Sequence, residues 1–254
     1  MITFFINVIK IIFLLGFLVL IHEGGHFLVA RLCKVNVLEF SIGFGPVILQ
    51  KKPKETKYSL RAIPLGGYVR LEGEDEHSDC EGSFSKASIP KRMAIVLAGG
   101  LTNIIFGLIV FFILGTVIIH SQKIDDSIGN SMYLALIKTK EFLFSMFESL
   151  KMLFIGKAKV DQFIGPVGIS EVIAKTSGIQ DYIYILSLIS VSLGVTNLLP
   201  IPALDGGKIL LLIIEAIRRK KLSEKTEINI QLIGFAFLIT ISLYVAYNDI
   251  LRIL

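Results

Sequence analysis

Apolar residues run almost without interruption over 4–21, and three further runs follow at 93–119, 182–199 and 230–247. A helix needs about 20 such residues to cross a bilayer core. The pattern therefore predicts an α-helical polytopic membrane protein with about four transmembrane helices, over 3–32, 93–119, 182–199 and 230–247. The first run has no small-residue cleavage site and is too long for a signal peptide, so it is read as the first helix. Asn7 and Lys10 lie near its start, where a long side chain can snorkel to the interface.

Between the spans the pattern changes period. Over 36–72, Tyr58-Ser59-Leu60-Arg61-Ala62-Ile63 and Tyr68-Val69-Arg70-Leu71 alternate as strands do, after a Gly43-Phe44-Gly45-Pro46 turn signal. A small membrane-associated β-hairpin or sheet is expected there. The acidic stretch 72–81 that follows reads as a solvated loop, and its His77 as a loop residue rather than a ligand. Over 131–156, Leu143, Phe144, Phe147, Leu150, Leu153 and Phe154 recur at helical spacing with lysines between them, as in an amphipathic helix lying on a membrane surface or in a buried cover helix. Gly165-Pro166-Val167-Gly168 breaks that pattern. Beyond the third span, 209–217 reads as a further helix.

Composition agrees with the spans and narrows the classes. The chain has 254 residues, 53% of them hydrophobic and 19% charged, and a mean hydropathy of +0.72, too apolar for an ordinary soluble domain. Its net charge of +5 reads as membrane orientation, not nucleic-acid binding, because the lysines and arginines flank apolar spans. With four crossings, the basic first loop and the run Arg218-Arg219-Lys220-Lys221 fall on one side, which places both termini outside the cytoplasm. Cys33 and Cys80 have no partner spacing, so neither a disulfide framework nor a cysteine metal site is expected.

The candidate chemistry sits at the end of the first run. His22-Glu23-Gly24-Gly25-His26 reads HExxH, a pattern that puts two imidazoles one helical turn apart with a carboxylate beside them. A metal held there lowers the pKa of a water to roughly 7, and Glu23 can take its proton. Ionisable residues inside an apolar span are costly and point to function. Each of the two glycines costs a helix interior about 1 kcal/mol relative to Ala, so something should approach that backbone closely. The third span leads into Asn197-Leu198-Leu199-Pro200-Ile201-Pro202-Ala203-Leu204-Asp205-Gly206-Gly207. Two prolines interrupt the helix and deliver Asp205 from irregular backbone at membrane depth. An unpaired carboxylate there is expensive and a metal suits it, so Asp205 is the expected third ligand. Gly99, Gly100 and Asn103 in the second span suggest close packing against the first.

These segments resemble the site-2 proteases, the intramembrane zinc metalloproteases, and specifically the bacterial branch that includes the regulator of sigma-E protease. The resemblance rests on HEGGHF at 22–27, FGP at 44–46, PLGGYV at 64–69, an AGxxxN-like segment at 98–103, GPVGI at 165–169 and NLLPIPALDGG at 197–207. It implies one membrane-embedded metalloprotease domain over 1–254, in a bacterial inner membrane. The implied metal is Zn2+, with His22, His26 and Asp205 as ligands and Glu23 as general base. Asn197 is implied to bind substrate or the tetrahedral intermediate, and Gly66, Gly67 and Tyr68 to belong to a strand region that holds substrate extended. Single-span membrane proteins or signal peptides are the implied substrates, in anti-sigma-factor processing or clearance of remnant signal peptides, with the lipid bilayer as surroundings and no nucleic acid. Gly100 stands where the family usually has Pro. Only 45 residues separate Ile119 from Gly165, too few for the PDZ fold of ~100 residues that bacterial members commonly carry there.

Two other classes compete with a protease. A silent scaffold has no need of His22, Glu23, His26 and Asp205 together. A metal or ion transporter could use intramembrane His and Asp, but should show interrupted helices in two repeated halves, and no such repeat is visible.

Overall fold

The computed structural model describes residues 2–53, 55–74, 76, 78–122, 127–155, 157, 165–176 and 178–253; His77 and parts of the acidic and GPVGI-flanking segments lie outside them. In chain order the elements are α1 (Ile2–Leu32), β1 (Val37–Lys51), β2 (Lys57–Leu71), a turn of 3-10 helix at Phe84–Lys86, α2 (Ile89–Ser121), α3 (Ile128–Phe154), α4 (Pro166–Ala174), α5 (Ile179–Asn197), α6 (Asp205–Arg218) and α7 (Glu224–Ile253). Four of them, α1, α2, α5 and α7, are long and apolar enough to cross a membrane, which gives the predicted polytopic α-helical architecture. The chain divides into two compact units, Met1–Asn103 with Leu193–Leu238, and Ile104–Ser192 with Ile239–Leu254.

In the first unit, the predicted sheet is a pair of long antiparallel strands directly after α1. Its register is doubled. Phe40, Ser41 and Ile42 of β1 pair with Val69, Tyr68 and Gly67 on one side and with Tyr58, Ser59 and Leu60 on the other. Ser59 and Tyr58 pair in turn with Gln50 and Lys51. Each strand is therefore bent back on itself, and the turn between them returns to the level of Phe40. The bends fall where φ is positive, at Gly43 (86°), Gly45 (80°) and Gly66 (119°), backbone that glycine adopts without penalty. The last segment of β2, residues 67–71, has β1 on one side only.

The sheet is joined to α1 by an apolar cluster of Ala30, Val35, Val37, Leu71 and Ile95. Phe27 adds edge-on ring contacts to Phe40 and Tyr58, at 5.4 and 6.0 Å between centroids. Helix α1 packs on α2 through Gly25, where a Cβ would meet Thr102 and the Ala98 carbonyl, whereas Gly24 has nothing within 4 Å. Half of the expectation for that glycine pair holds: Gly25 is approached closely, and Gly24 points into open space. Two links tie α6 to the start of α2 and to the segment after β2. Arg92 makes a two-pronged ion pair with Glu215, at 2.9 and 2.5 Å, and Lys208 donates to Glu74 at 2.7 Å.

In the second unit, α3 is the expected amphipathic helix. Phe142 stacks on Phe111 of α2, with centroids 4.6 Å apart, and Ser131 and Ala135 are fully buried. Phe144 and Phe147 lie on its exposed side. GPVG does more than break a pattern. Gly165 is the N-cap of α4 and Pro166 its first residue, where proline's missing N–H costs nothing.

Candidate metal centre

His22 and His26 stand one turn apart on α1 because four residues bring side chains to the same face. Their Nε2 atoms are 3.2 Å apart, and their rings meet edge to face. Asp205, the first residue of α6, closes the group, with Oδ2 3.1 Å from His22 Nε2 and 3.3 Å from His26 Nε2. One ligand atom from each of the three lies within 4.8 Å of the others.

The donor set fits a divalent ion. His26 Nδ1 donates to the Ile95 carbonyl at 2.8 Å, which leaves the Nε2 lone pair facing the cluster; such a hydrogen bond fixes the tautomer that binds metal. Asp205 Oδ2 is buried without a hydrogen-bond donor, a costly state that an ion relieves. Zinc takes His nitrogen and carboxylate oxygen, and a three-ligand set leaves a position for water or substrate.

The route from α5 to α6 explains how Asp205 reaches the histidines. Helix α5 ends at Asn197, two residues earlier than the apolar run suggested, and Pro200 and Pro202 prevent its continuation. Ala203 then takes a left-handed conformation, φ 74°, and Leu204 caps α6 in extended geometry. The carboxylate at the first position of α6 also sits favourably at the positive end of the helix dipole.

A cleft of about 240 Å³ opens at the cluster, lined by Val19, His22, Glu23, Gly66, Gly67, Leu193, Asn197, Ala203, Leu204 and Asp205. It lies between α1, the Gly66–Gly67 edge of β2 and the connection from α5 to α6. Of the residues anticipated from sequence, His22, Glu23, Asn197, Asp205, Gly66 and Gly67 all line it, and His26 joins through the cluster. A Cβ on Gly67 would lie 3.3 Å from Glu23 Cγ, so the sheet edge and the HExxH carboxylate are neighbours. Tyr68 is not among the lining residues; its hydroxyl accepts a hydrogen bond from Arg61 at 2.8 Å. Sequence reasoning did not single out Ile95, whose carbonyl is invisible to any residue-type signal, or Ala203, whose backbone conformation has no signature in a residue with a Cβ.

Four apolar helices and a His-His-Asp cluster beside a glutamate in a polar cleft define a membrane-embedded metallohydrolase. The chain belongs to Peptidase family M50, whose profile matches residues 10–241. It is 30% identical to a protein named as a zinc metalloprotease in Clostridium acetobutylicum, over 97% of this chain and 98% of the relative. A Fusobacterium nucleatum protein of the same designation is 28% identical over 99% of both chains. The zinc metalloprotease RasP of Geobacillus kaustophilus is 24% identical, over 96% and 97%. The first alignment spans 331 positions against a chain of 254 residues, so that relative carries insertions absent here. The protein is a multi-pass zinc metalloprotease of the membrane, as the sequence led us to expect.

Proposed function

We propose that this chain hydrolyses peptide bonds within or beside transmembrane segments of single-span membrane proteins or remnant signal peptides, anti-sigma factors being one candidate group. The observation that carries the reading is the single cleft that brings together Glu23, Asn197, the His22–His26–Asp205 cluster and the Gly66–Gly67 strand edge. We assign His22, His26 and Asp205 as the zinc ligands. When bound, zinc supplies a Lewis acid that polarises the scissile carbonyl and acidifies the attacking water.

The chain's own groups do the rest. A peptide bond in a transmembrane helix is shielded by its own hydrogen bonds, so the segment must unwind first. The one-sided segment 67–71 of β2 can pair with it and satisfy the freed backbone groups. Gly66 and Gly67 carry no side chains that would hold the substrate backbone away from Glu23. Glu23 takes a proton from the attacking water and returns it to the leaving amine. The Asn197 amide donates to the developing oxyanion. Tyr68 acts one step back, holding the strand through Arg61. We further propose that residues 1–254 act as one membrane-embedded domain, with both termini outside the cytoplasm of a bacterial inner membrane, since the basic loops after α1 and α6 then share the cytoplasmic side.

The test is cleavage of a single-span substrate in detergent by the protein, its E23Q variant and a chelated sample. Cleavage within the span by the zinc-loaded, unsubstituted protein alone is the expected result. Cleavage by E23Q at an equal rate, or zinc bound as tightly by H22A as by the parent, refutes the assignment.

A further inference from the structure

Asp205 can face the histidines only if the chain turns sharply two residues earlier, and that turn is made by Ala203 at φ 74°. A residue with a Cβ enters this region at a penalty, so the turn depends on the hydrogen bonds that hold it. Most of the surrounding contacts are repulsive walls. A Cβ on Gly206 would collide with the Leu198 and Leu199 carbonyls, and one on Gly207 with the Ile201 carbonyl. These contacts limit where the loop can go, and the Leu204 N–H closes the turn by donating to the Ile201 carbonyl at 3.1 Å, with Pro202 and Ala203 at its centre as in a type II turn.

A second hydrogen bond on the turn comes from α7. The Ala203 N–H donates to Gln231 Oε1 at 2.7 Å. Because a backbone N–H can only donate, this contact settles which way the Gln231 amide is turned. One turn along α7, Gly234 lies so close to Pro202 that a Cβ there would overlap its carbonyl and ring. The absence of that Cβ lets α7 approach until Gln231 reaches the turn. Neither Gln231 nor Gly234 lines the catalytic cleft.

We infer that Gln231 is a positioning residue for zinc: by holding Ala203 left-handed it aims Asp205 at His22 and His26. The inference rests on Asp205 being a ligand, as proposed above. It gives α7 a defined part in the centre, although no residue of α7 belongs to the metal cluster.

The experiment measures zinc affinity by competition with a chromophoric chelator, and kcat and KM on a single-span substrate, for the full chain and for Q231M, Q231M/A203G and H22A. Methionine keeps the volume of the glutamine but cannot accept from Ala203. Loss of an outer partner of a metal ligand typically weakens binding by about 10-fold or more, so Q231M is expected to bind zinc about 10-fold more weakly, with kcat reduced and KM little changed. Glycine at 203 takes the left-handed conformation freely, so the double variant should regain most of the lost affinity. A purely structural role of Gln231 in docking α7 gives no reason for rescue at position 203. Parental zinc affinity in Q231M, or no recovery in Q231M/A203G, overturns the inference. Should Q231M fail to fold, Q231M/A203G must be recovered folded and zinc-binding, and its failure overturns the inference as well. Zinc binding retained by H22A refutes instead the ligand assignment on which it rests.

Discussion

The α-carbon of Gly99 faces the Nε2 atoms of both His26 and His22, so closely that a Cβ would collide with His26 and lie 2.8 Å from His22 Nε2. Helix α2 thus forms the wall against which the Nε2 edges of the two imidazoles rest. Nothing larger than glycine fits without moving a histidine.

From this contact, G99A is expected to lose zinc affinity by tenfold or more, the scale typical of a displaced outer contact, while remaining folded. G25A should fail at an earlier stage, because its Cβ would press on the Ala98 carbonyl and Thr102 of α2 and part the two helices. G24A should fold and bind zinc as the parent does, since open space surrounds that position. Chelator competition and size-exclusion profiles of the three variants check the series. Equal behaviour of G24A and G25A would contradict the packing described.

Arg92 is buried and Glu215 largely so, with side chains 9% and 13% exposed. Removing one partner of such a pair strands the other charge, which typically costs 3–5 kcal/mol, whereas replacing both by apolar residues is often close to neutral. R92M is therefore expected to lower the melting temperature in detergent sharply, by about 3–5 kcal/mol of stability. R92M/E215M should recover most of the loss. A double variant as unstable as the single one would show that the pair contributes more than mutual neutralisation.

Within the sheet, Glu39 accepts hydrogen bonds from the Ser59 hydroxyl at 2.7 Å and from Arg61 at 3.0 Å. Burial raises the Glu39 carboxyl, but these hydrogen bonds outweigh it and leave the group below the usual carboxylate range. A carboxyl depressed in the folded state stabilises that state fully above its unfolded pKa and loses the contribution as pH falls through the folded value. Amide hydrogen exchange in β1 and β2 should therefore accelerate relative to the helices as pH drops below the ordinary glutamate range. In E39Q that pH dependence should flatten, and an unchanged profile would exclude Glu39 as its source.

The grouping of His22, His26 and Asp205 was legible in the sequence because its signals are local. HEGGH carries its own helical spacing, and the prolines before Asp205 announce an interrupted helix, so the cluster and the four spans could be read directly. What escaped was set by contacts distant in the chain. Nothing in the strands announces that Ser59 pairs with both Ser41 and Gln50, because alternation gives faces, not neighbours. Of two adjacent glycines, only the helix-packing direction decides that Gly25 and not Gly24 meets α2. The left-handed Ala203 is hydrogen-bonded by Gln231, 28 residues later. Likewise GPVG was read as a break in pattern, whereas it begins α4, for a reason found 81 residues away.

That reason is Asp249, which is 2% exposed on α7 and accepts from the Gly168 N–H at 2.8 Å. The N-cap of α4, Gly165, offers no side-chain oxygen, so an orphan donor of the first turn is satisfied from another helix instead. The Arg252 guanidinium, 3.4 Å from Asp249 Oδ1, partly offsets the buried charge. D249A removes the acceptor and leaves the Gly168 N–H buried and unpaired, a loss of about 1–3 kcal/mol. G165A should act at the same point from the other side, because its Cβ would lie 2.7 Å from Asp249 Oδ2. In both variants α4 is expected to become sensitive to limited proteolysis and to exchange its amides faster, while zinc affinity stays at the parental value, since no member of the metal cluster touches this contact. If α4 keeps its full protection in D249A, then its own packing suffices to hold it and the cap from α7 is dispensable.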